Sequence, residues 1–585
     1  MRLLTRNIDR RFDAIVIGSG AGGSIAVKEL AERGLDVLLL EAGRDISDAD
    51  FTPPKPKAPR PLGMDLDLRA TAMLAGQYRQ ARRSFFSETS NRFLVNDREN
   101  PYSTPLGSPY LWIRGRVLGG RLNTYGRVLQ RMSDIDFKAV TGSWRRGVPA
   151  SFRSASRDGH GADWPISYAD LEPWYDRVEE FVGVYGNKDG LTHPPDGKYL
   201  GPAMLTDVEE KFRDTVAERW PERKVIAWRY AAPNLGRVPV GIAAARQTGR
   251  LTTRADAVVA RITIDERTGL ADGAVFIDRL TKREHRVFAD VVVLCASAIE
   301  STRLMLNSAC NRHPNGLGNS NGLLGRYFMD QTISLAFCSV PQFPGYSKAD
   351  TLPPADPFYP PTGGILIPRY ENVGAEPEQD YVRGISFQGA GGRFPVPEAY
   401  PTSFGLGGVG EMLPSYANRI SLNSRRMDKW GVPIAHIRCQ LGDNDRILIK
   451  RQLKALPEMT QHAGYEVNFI GSVLGLDSKR VWPDYGPLQR FIFRRVIGMS
   501  LTMGAAIHEC GGARMGNDPG MSVVNGVNQA WDVPDLFVPD GASFVSNSTV
   551  GPALTIMALS ARTAAFIADA HTCGELAKPT KQVSY

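Results

Sequence analysis

The chain has 585 residues, 42% hydrophobic and 23% charged, with a formal charge of +8 from 70 basic and 62 acidic side chains. This length exceeds the roughly 250–300 residues at which single cores stop growing, so two or more domains are expected, and the composition excludes disorder and fibrous repeats. The basic residues are scattered, the densest patch being Arg79 to Arg83, which leaves a merely basic surface and excludes the stripe or module that nucleic-acid binding needs.

Six cysteines, Cys295, Cys310, Cys338, Cys439, Cys510 and Cys573, lack the paired spacing of zinc or iron–sulfur sites, so no metal is expected. Met1 to Arg11 carries charge without an apolar run, the opposite of a signal peptide. No stretch approaches the roughly 20 apolar residues of a membrane span. A cytoplasmic protein with reduced thiols is expected, with export alongside a signal-bearing partner left open.

In chain order, Phe12 to Ile17 is an apolar run that reads as a strand buried on both faces of a parallel sheet. Gly18-Ser19-Gly20-Ala21-Gly22-Gly23 follows, then helical composition from Ser24 to Gly34, then a second apolar strand from Leu35 to Glu41. Gly18 permits the tight turn, Gly20 lets the backbone approach a pyrophosphate, and Gly23 lets the helix pack closely on the sheet. The helix N-terminus offers free N–H groups to phosphates. Glu41 stands where a carboxylate accepts hydrogen bonds from ribose hydroxyls and repels a 2′-phosphate, which disfavours NADP. The pattern specifies a dinucleotide site without separating FAD from NAD.

Further on, Arg114 to Asn123 is rich in glycine and basic residues and by itself reads as an ordinary turn. Arg250 to Val259 reads as one strand and Val291 to Ala296 as another, with a helix opening at Ala298. From about residue 330 to 500 the pattern changes to separated strands and loops, with a proline-rich surface excursion from Tyr346 to Gly364. His508 to Gly516, Leu536 to Gly541 and Gly551 to Thr555 then form a polar set ahead of the apolar helix Ile556 to Ile567. Such a set fits a cofactor pocket closed by the last helix. A lone histidine is more often structural than catalytic, but an imidazole titrating near neutrality suits the removal of a hydroxyl proton.

Together, the glycine fingerprint with Glu41-Ala42-Gly43, Gly115 to Gly120, Ala289 to Leu306, and His508 to Thr555 resemble the glucose–methanol–choline (GMC) family of flavin oxidoreductases. The resemblance runs from about residue 12 to about residue 570. It implies an α/β, doubly wound, FAD-binding Rossmann-like domain joined to a second, α+β substrate domain with an antiparallel sheet. The implied division is 1–335 for the first part of the FAD domain (loops inserted at about 45–110 and 140–245), 336–500 for the substrate domain, and 501–585 for the rest of the FAD domain with the catalytic block. Phe404 to Pro414, Arg419 to Leu422 and Ile434 to Arg438 resemble the sheet that lies over the flavin.

The same resemblance implies FAD bound by Gly18, Gly20, Gly23 and Glu41, by Arg116, Gly119, Gly120 and Asn123, by the backbone near Val258 and Ala296, and by Asp540, Gly541, Pro552 and Thr555. Some relatives bind flavin covalently through a histidine in the Arg114 to Asn123 loop; no histidine lies between Met1 and Gly159, so non-covalent FAD is expected. His508 is implied as the general base while hydride passes to flavin N5. The residue before the proline of the last block is usually asparagine or histidine, and here it is Gly551. That position is read three ways: a change that disables catalysis, a natural widening of the site, or replacement by another group, with Asn547 as the nearest amide.

Tyr125, Gln388, Glu411 and His436 are candidates for an aromatic face and hydroxyl partners around a sugar. Arg127 to Asp134, Asp163 to Ser167 and Leu171 to Tyr175 resemble the branch with pyranose oxidases, gluconate-type dehydrogenases and bacterial glycoside 3-oxidases, which implies oxidation of a secondary hydroxyl of a sugar or glycoside, at C3 in particular. The acceptor is left open among oxygen, a quinone and a cytochrome, and a small helper subunit accompanies some relatives. Competing readings are a GMC enzyme for a sterol, cyclitol or aminoglycoside, a flavin-binding protein with catalysis impaired by Gly551, and an NAD-dependent dehydrogenase supported by the first motif alone.

Overall fold

The computed structural model describes residues 8–53, 66–84, 86–141, 162–232, 238–348, 358, 362–374, 379–394, 396, 398–478 and 486–576. Most of the Tyr346 to Gly364 excursion lies outside them. The chain opens with β1 (Arg11–Ile17), α1 (Ala21–Glu32) and β2 (Val37–Leu40). Alternate side chains of these strands enter two different cores: Ile15, Ile17, Leu38 and Leu40 one, and Ala14, Val16, Val37 and Leu39 the other. A strand covered on both faces has no polar side to alternate with, which explains the unbroken apolar runs.

Helix α2 (Tyr168–Val182) and the short strand β3 (Ile226–Ala227) follow, then α3 (Val240–Gln247) and β4 (Leu251–Arg254). The stretch expected as one strand, Arg250 to Val259, is two, because Asp256 has φ 58° and turns the chain, its N–H donating to Gly43 O at 2.7 Å. β4 pairs parallel with β2, whereas β5 (Ala257–Ile264) runs antiparallel to β6 (Ala271–Asp278), which pairs with the first half of β7 (Glu284–Leu294). The second half of β7 lies parallel to β1. The seven-stranded sheet is therefore mixed, in the order β4-β2-β1-β7-β6-β5, with β16 (Leu536–Phe537) also parallel to β7. Helix α4 (Ala298–Asn307) leaves the end of β7.

A second seven-stranded sheet is wholly antiparallel. It is built from β8 (Gln331–Pro344), β9 (Ile365–Ile367), β10 (Ile385–Gly391), β11 (Pro401–Glu411), β14 (Glu466–Ser472) and β15 (Gly475–Ser478), with the upstream β3 on its edge. Two segments expected in this sheet lie elsewhere. The segments β12 (Arg419–Met427) and β13 (Pro433–Arg438) do not join this sheet but form their own hairpin. Loops beside the first sheet hold the hairpin's edges: Ile420 N donates to Gly325 O at 2.8 Å and Ser103 N to Ala435 O at 3.0 Å. Helix α5 (Asp443–His462) packs on the second sheet, and α6 (Pro487–Ser500) follows it.

The last helix, α7 (Ala553–Thr572), also departs from expectation: it is 20 residues long and apolar enough to cross a bilayer. It is a core helix, because 78% of its apolar window is buried inside the protein. Helices α1 and α7 approach so closely that a Cβ on Gly22 would lie 3.0 Å from Ser560 Oγ.

Candidate active site

The glycine turn after β1 has the steric properties its spacing predicts. Gly18 has φ +99°, and a Cβ there would lie 2.4 Å from Cys295 O. A Cβ on Gly23 would fall 1.8 Å from Gly18 O, whereas one on Gly20 would meet nothing within 4 Å. Gly20 therefore opens onto space at the N-terminus of α1, whose first turn holds no acidic residue and whose N-cap makes no side-chain bond. These amides are left for an anion, as a pyrophosphate site requires.

Glu41 binds the turn to its surroundings. Its buried carboxylate accepts from Gly43 N at 2.7 Å and from the amide and hydroxyl of Ser19, and burial raises its pKa. Gly119 N in turn donates to Ser19 Oγ at 2.9 Å. Gly120 sits above Gly20, its built Cβ 3.6 Å from Gly20 Cα, so the second glycine loop covers the first. Val258 follows Ala257, the first residue of β5, whose N–H donates to Glu41 O at 2.9 Å. Three other residues expected at the cofactor are engaged with the protein itself. Asn123 Nδ2 donates to Leu118 O at 2.9 Å and Gly120 O at 3.1 Å, tying the loop, and Arg116 pairs with Asn100 and, at 3.4 Å, Glu300. Thr555, in the first turn of α7 after Pro552, shares its hydroxyl with Tyr175 of α2 at 2.8 Å.

On the other side of the turn, Ala296 packs under Gly18 and Ser297 takes φ +85°. Asp540 accepts from Ser297 N at 3.0 Å, Ser301 Oγ at 2.6 Å and Ala542 N at 2.8 Å, and burial pushes its pKa up to about 6. Gly541 O receives Gly511 N at 2.8 Å, which joins this corner to the His508 loop.

His508 follows Ile507, a β-branched residue held at φ 62°, a backbone conformation that only surrounding structure can impose. The surroundings are specific: His508 N donates to Asp330 Oδ1 at 3.0 Å, Arg121 Nη1 donates to Ile507 O at 3.2 Å, and Asn547 Nδ2 donates to His508 O at 3.2 Å. The ring nitrogen Nδ1 lies 2.5 Å from Gln331 Oε1. Gln331 Nε2 donates to Ser548 O at 2.6 Å and Val550 O at 2.8 Å, so the amide cannot be turned round without facing two carbonyls with its oxygen. Gln331 must accept at Nδ1, which therefore carries the proton and leaves the lone pair on Nε2. Burial and then the Arg121 charge push the His508 pKa down to about 4, so the ring is neutral at physiological pH. Nε2 points to Gly551: a Cβ built there would be 3.4 Å from it.

Two family models match this chain: one described as GMC oxidoreductase over residues 414–560, which takes in the His508 loop and the start of α7, and one described as NAD(P)-binding Rossmann-like domain over residues 16–89. The segment that carries the His508 loop is that of a GMC oxidoreductase. It is 28% identical to the 2-methyl-1,2-propanediol dehydrogenase of Mycolicibacterium austroafricanum over 95% of each chain. It is 24% identical to the fructose dehydrogenase large subunit of Gluconobacter japonicus, over 94% of this chain and 97% of that one. C-glycoside 3-oxidases, a paromamine 6'-oxidase and a gluconate 2-dehydrogenase flavoprotein match at 23% to 26% identity. In three dimensions it is similar to pyridoxine 4-oxidase from Mesorbium loti, with a TM-score of 0.58 and 18% identity over 95% of this chain and 98% of that one, a likeness of fold. As a GMC oxidoreductase it is an FAD enzyme acting on CH–OH groups, and the open Gly20 cradle with its uncapped helix end fits that cofactor.

Not every expected site residue stands where a ligand would meet it. Asn547 is turned to backbone, its Oδ1 accepting from Ser548 N at 2.9 Å, so it braces the His508 loop and does not replace the missing side chain at Gly551. Glu411 is fully buried between Arg369 and Arg383, which take both of its oxygens, so it is a core ion pair and no sugar partner. His436 belongs to the β12–β13 hairpin, its Nδ1 2.9 Å from Ser103 Oγ. Gln388 lies half-buried in β10, and Tyr125 packs, partly buried, against the main core beside the second glycine loop.

Sequence reasoning missed Asp330, Gln331 and Arg121. Gln331 is 177 residues from His508, so no local spacing connects them. Asp330 is fully buried and takes the amides of both Gln331 and His508, and burial together with nearby Glu509 pushes its pKa up to about 7. Arg121 neutralises Glu509 at 2.9 Å.

The carbonyls of Ser548 and Val550 depend on Gln331, as does the histidine tautomer. Replacing Gln331 by Leu is expected to slow alcohol-driven flavin reduction about 10- to 100-fold, with FAD still bound, as rapid-mixing spectroscopy of the variant would record. A rate equal to that of the unaltered protein would show that tautomer control is not needed.

Proposed function

We propose that this enzyme oxidises a secondary hydroxyl of a sugar or glycoside, at C3 in particular, to a ketone, using FAD held without a covalent bond. The observation that carries the reading is the neutral His508 with its Nε2 lone pair turned toward Gly551. Nε2 takes the hydroxyl proton as the carbinol C–H departs with its electron pair, leaving the C=O of the ketone. When bound, the flavin supplies the acceptor for that hydride at its N5. Asp330, Arg121 and Asn547 hold the His508 backbone while Gln331 holds its ring, so the base meets its substrate without reorganising.

The sugar assignment is supported by the sugar and glycoside enzymes among the relatives, and by Gly551, whose missing side chain widens the site beside the base for a ring carbon with two substituents. The absence of a histidine before His160 supports non-covalent FAD. The six cysteines are all unpaired, which supports a reduced, cytoplasmic setting. The test is anaerobic mixing of FAD-loaded protein with a panel of glycosides, aldoses, aldonates, cyclitols and simple diols, followed by flavin absorbance. Bleaching fastest with a pyranoside, and a 3-keto product, is the expected result; bleaching only by diols would move the assignment to another alcohol class. Air then separates the acceptors: rapid recovery of colour with peroxide marks an oxidase, while a persistently reduced flavin marks a dehydrogenase that needs a quinone or a cytochrome.

Gly551 favours a second reading, a flavin-binding protein whose catalysis is impaired by the missing side chain. Gly551→Asn distinguishes the two. Its backbone is outside the left-handed region and its built Cβ makes only ordinary contact with His508, so the variant is expected to fold. If an amide is missing there, Gly551→Asn speeds reduction by the correct alcohol about ten-fold or more. An unchanged or lower rate means that the wide glycine site is the working one.

A further inference from the structure

Helix α6 is amphipathic in an unusual sense. Its inner face, Phe493 and Ile497, packs with Leu501 on Phe469 of β14, the two phenyl rings 5.4 Å apart. Its outer face is also apolar: Leu488 is 72% exposed, Phe491 63% and Met499 36%. Arg495 is exposed beside them, and Arg490 and Arg494 are exposed on the flank that turns toward the inner face. No acidic residue occurs between Tyr485 and His508. The segment Gln80–Arg82 packs beside α6 and brings exposed Arg82, part of the densest basic patch of the sequence, to the same surface. Two exposed carboxylates neighbour this surface: Asp67, next to Leu66 of the inner cluster, and Asp477 of β15, which packs against α6.

We propose that α6 docks this enzyme onto an anionic membrane surface, with Leu488, Phe491 and Met499 entering the headgroup boundary and the arginines meeting lipid phosphates and carboxylates. Charge decides for lipid. A protein partner for this patch needs matching carboxylates, whereas an anionic leaflet offers apolar depth and negative charge together, which is what a basic amphipathic helix binds. The helix lies in the surface and does not span. Its C-terminus is eight residues before His508, and the connection is anchored, Leu111 N donating to Met503 O at 2.7 Å. Docking therefore sets the orientation of the catalytic loop to the bilayer.

The test is co-sedimentation of the full-length protein, loaded with FAD, with vesicles of phosphatidylcholine alone and with about 30% phosphatidylserine, at about 0.1 M salt. Binding to the anionic vesicles, and at least ten-fold weaker binding to the neutral ones, is expected. Leu488→Ser with Phe491→Ser should weaken binding about ten-fold or more, and Arg495→Gln about five-fold. FAD content and melting temperature should stay unchanged, because these side chains point outward. Failure of the unaltered protein to sediment with anionic vesicles overturns the proposal, as does equal sedimentation of the double variant. A dimer in light scattering that the double variant converts to monomer also overturns it, since a second copy would then cover the patch. None of these readouts depends on which alcohol the enzyme oxidises.

Discussion

His508→Ala is expected to lower the rate of flavin reduction by alcohol about 10²- to 10⁴-fold, the usual range for a positioned general base, and to leave FAD binding intact. The residue touches none of the glycines of the cradle; its ring is held by Gln331 and its backbone by Asp330. In the unaltered enzyme the pH profile should carry the signature of a half-buried base. Burial and the Arg121 charge hold its pKa near 4, below the ordinary imidazole value of 6.5, and the neutral form is the active one. The reduction rate is therefore expected to be independent of His508 ionisation from about pH 8 down to about pH 5, falling only as pH approaches the depressed value. A drop centred near 6.5 would mean that the ring is solvated and the burial argument fails. Asp330, pushed up to about 7, is the other titrating group of the network, so an inflection near 7 that disappears in Asp330→Asn belongs to it.

The second large effect separates two glycines only three residues apart. Gly23→Val should destabilise the protein by about 3 kcal/mol or more, since its Cβ would lie 1.8 Å from the carbonyl of Gly18 and only backbone movement relieves that. Low soluble yield or a lowered melting temperature is the measurement. Gly20→Val is expected to fold normally, because a Cβ there meets nothing within 4 Å, yet to purify colourless, because the added side chain fills the space over the helix N-terminus. A yellow Gly20→Val protein would show that the pyrophosphate does not lie on that turn.

These predictions also mark how far the chain could be read without its structure. The first strand, turn and helix were legible because their constraints are local and steric. The mixed character of the first sheet was not, since one residue, Asp256 at φ 58°, divides an apparently continuous strand and sends its second half antiparallel. By pattern alone the β12–β13 hairpin reads as part of the second sheet, for a related reason. Its residues have ordinary strand patterning, and the partners that claim its edges, Gly325 and Ser103, are remote in sequence. Glu411 was a reasonable sugar partner as an isolated carboxylate, and it took the approach of Arg369 and Arg383 to make it a core ion pair.

The amino-acid sequence by itself determined the dinucleotide cradle and the placing of an imidazole in the last block, because backbone sterics and motif spacing act within a few tens of residues. Only the tertiary structure decided which nitrogen of that imidazole is the base. The proton on Nδ1 is held by Gln331, whose amide is in turn fixed by the carbonyls of Ser548 and Val550. Hydrogen-bond direction in a buried network depends on every member at once, and its members here meet only after two sheets have formed and packed.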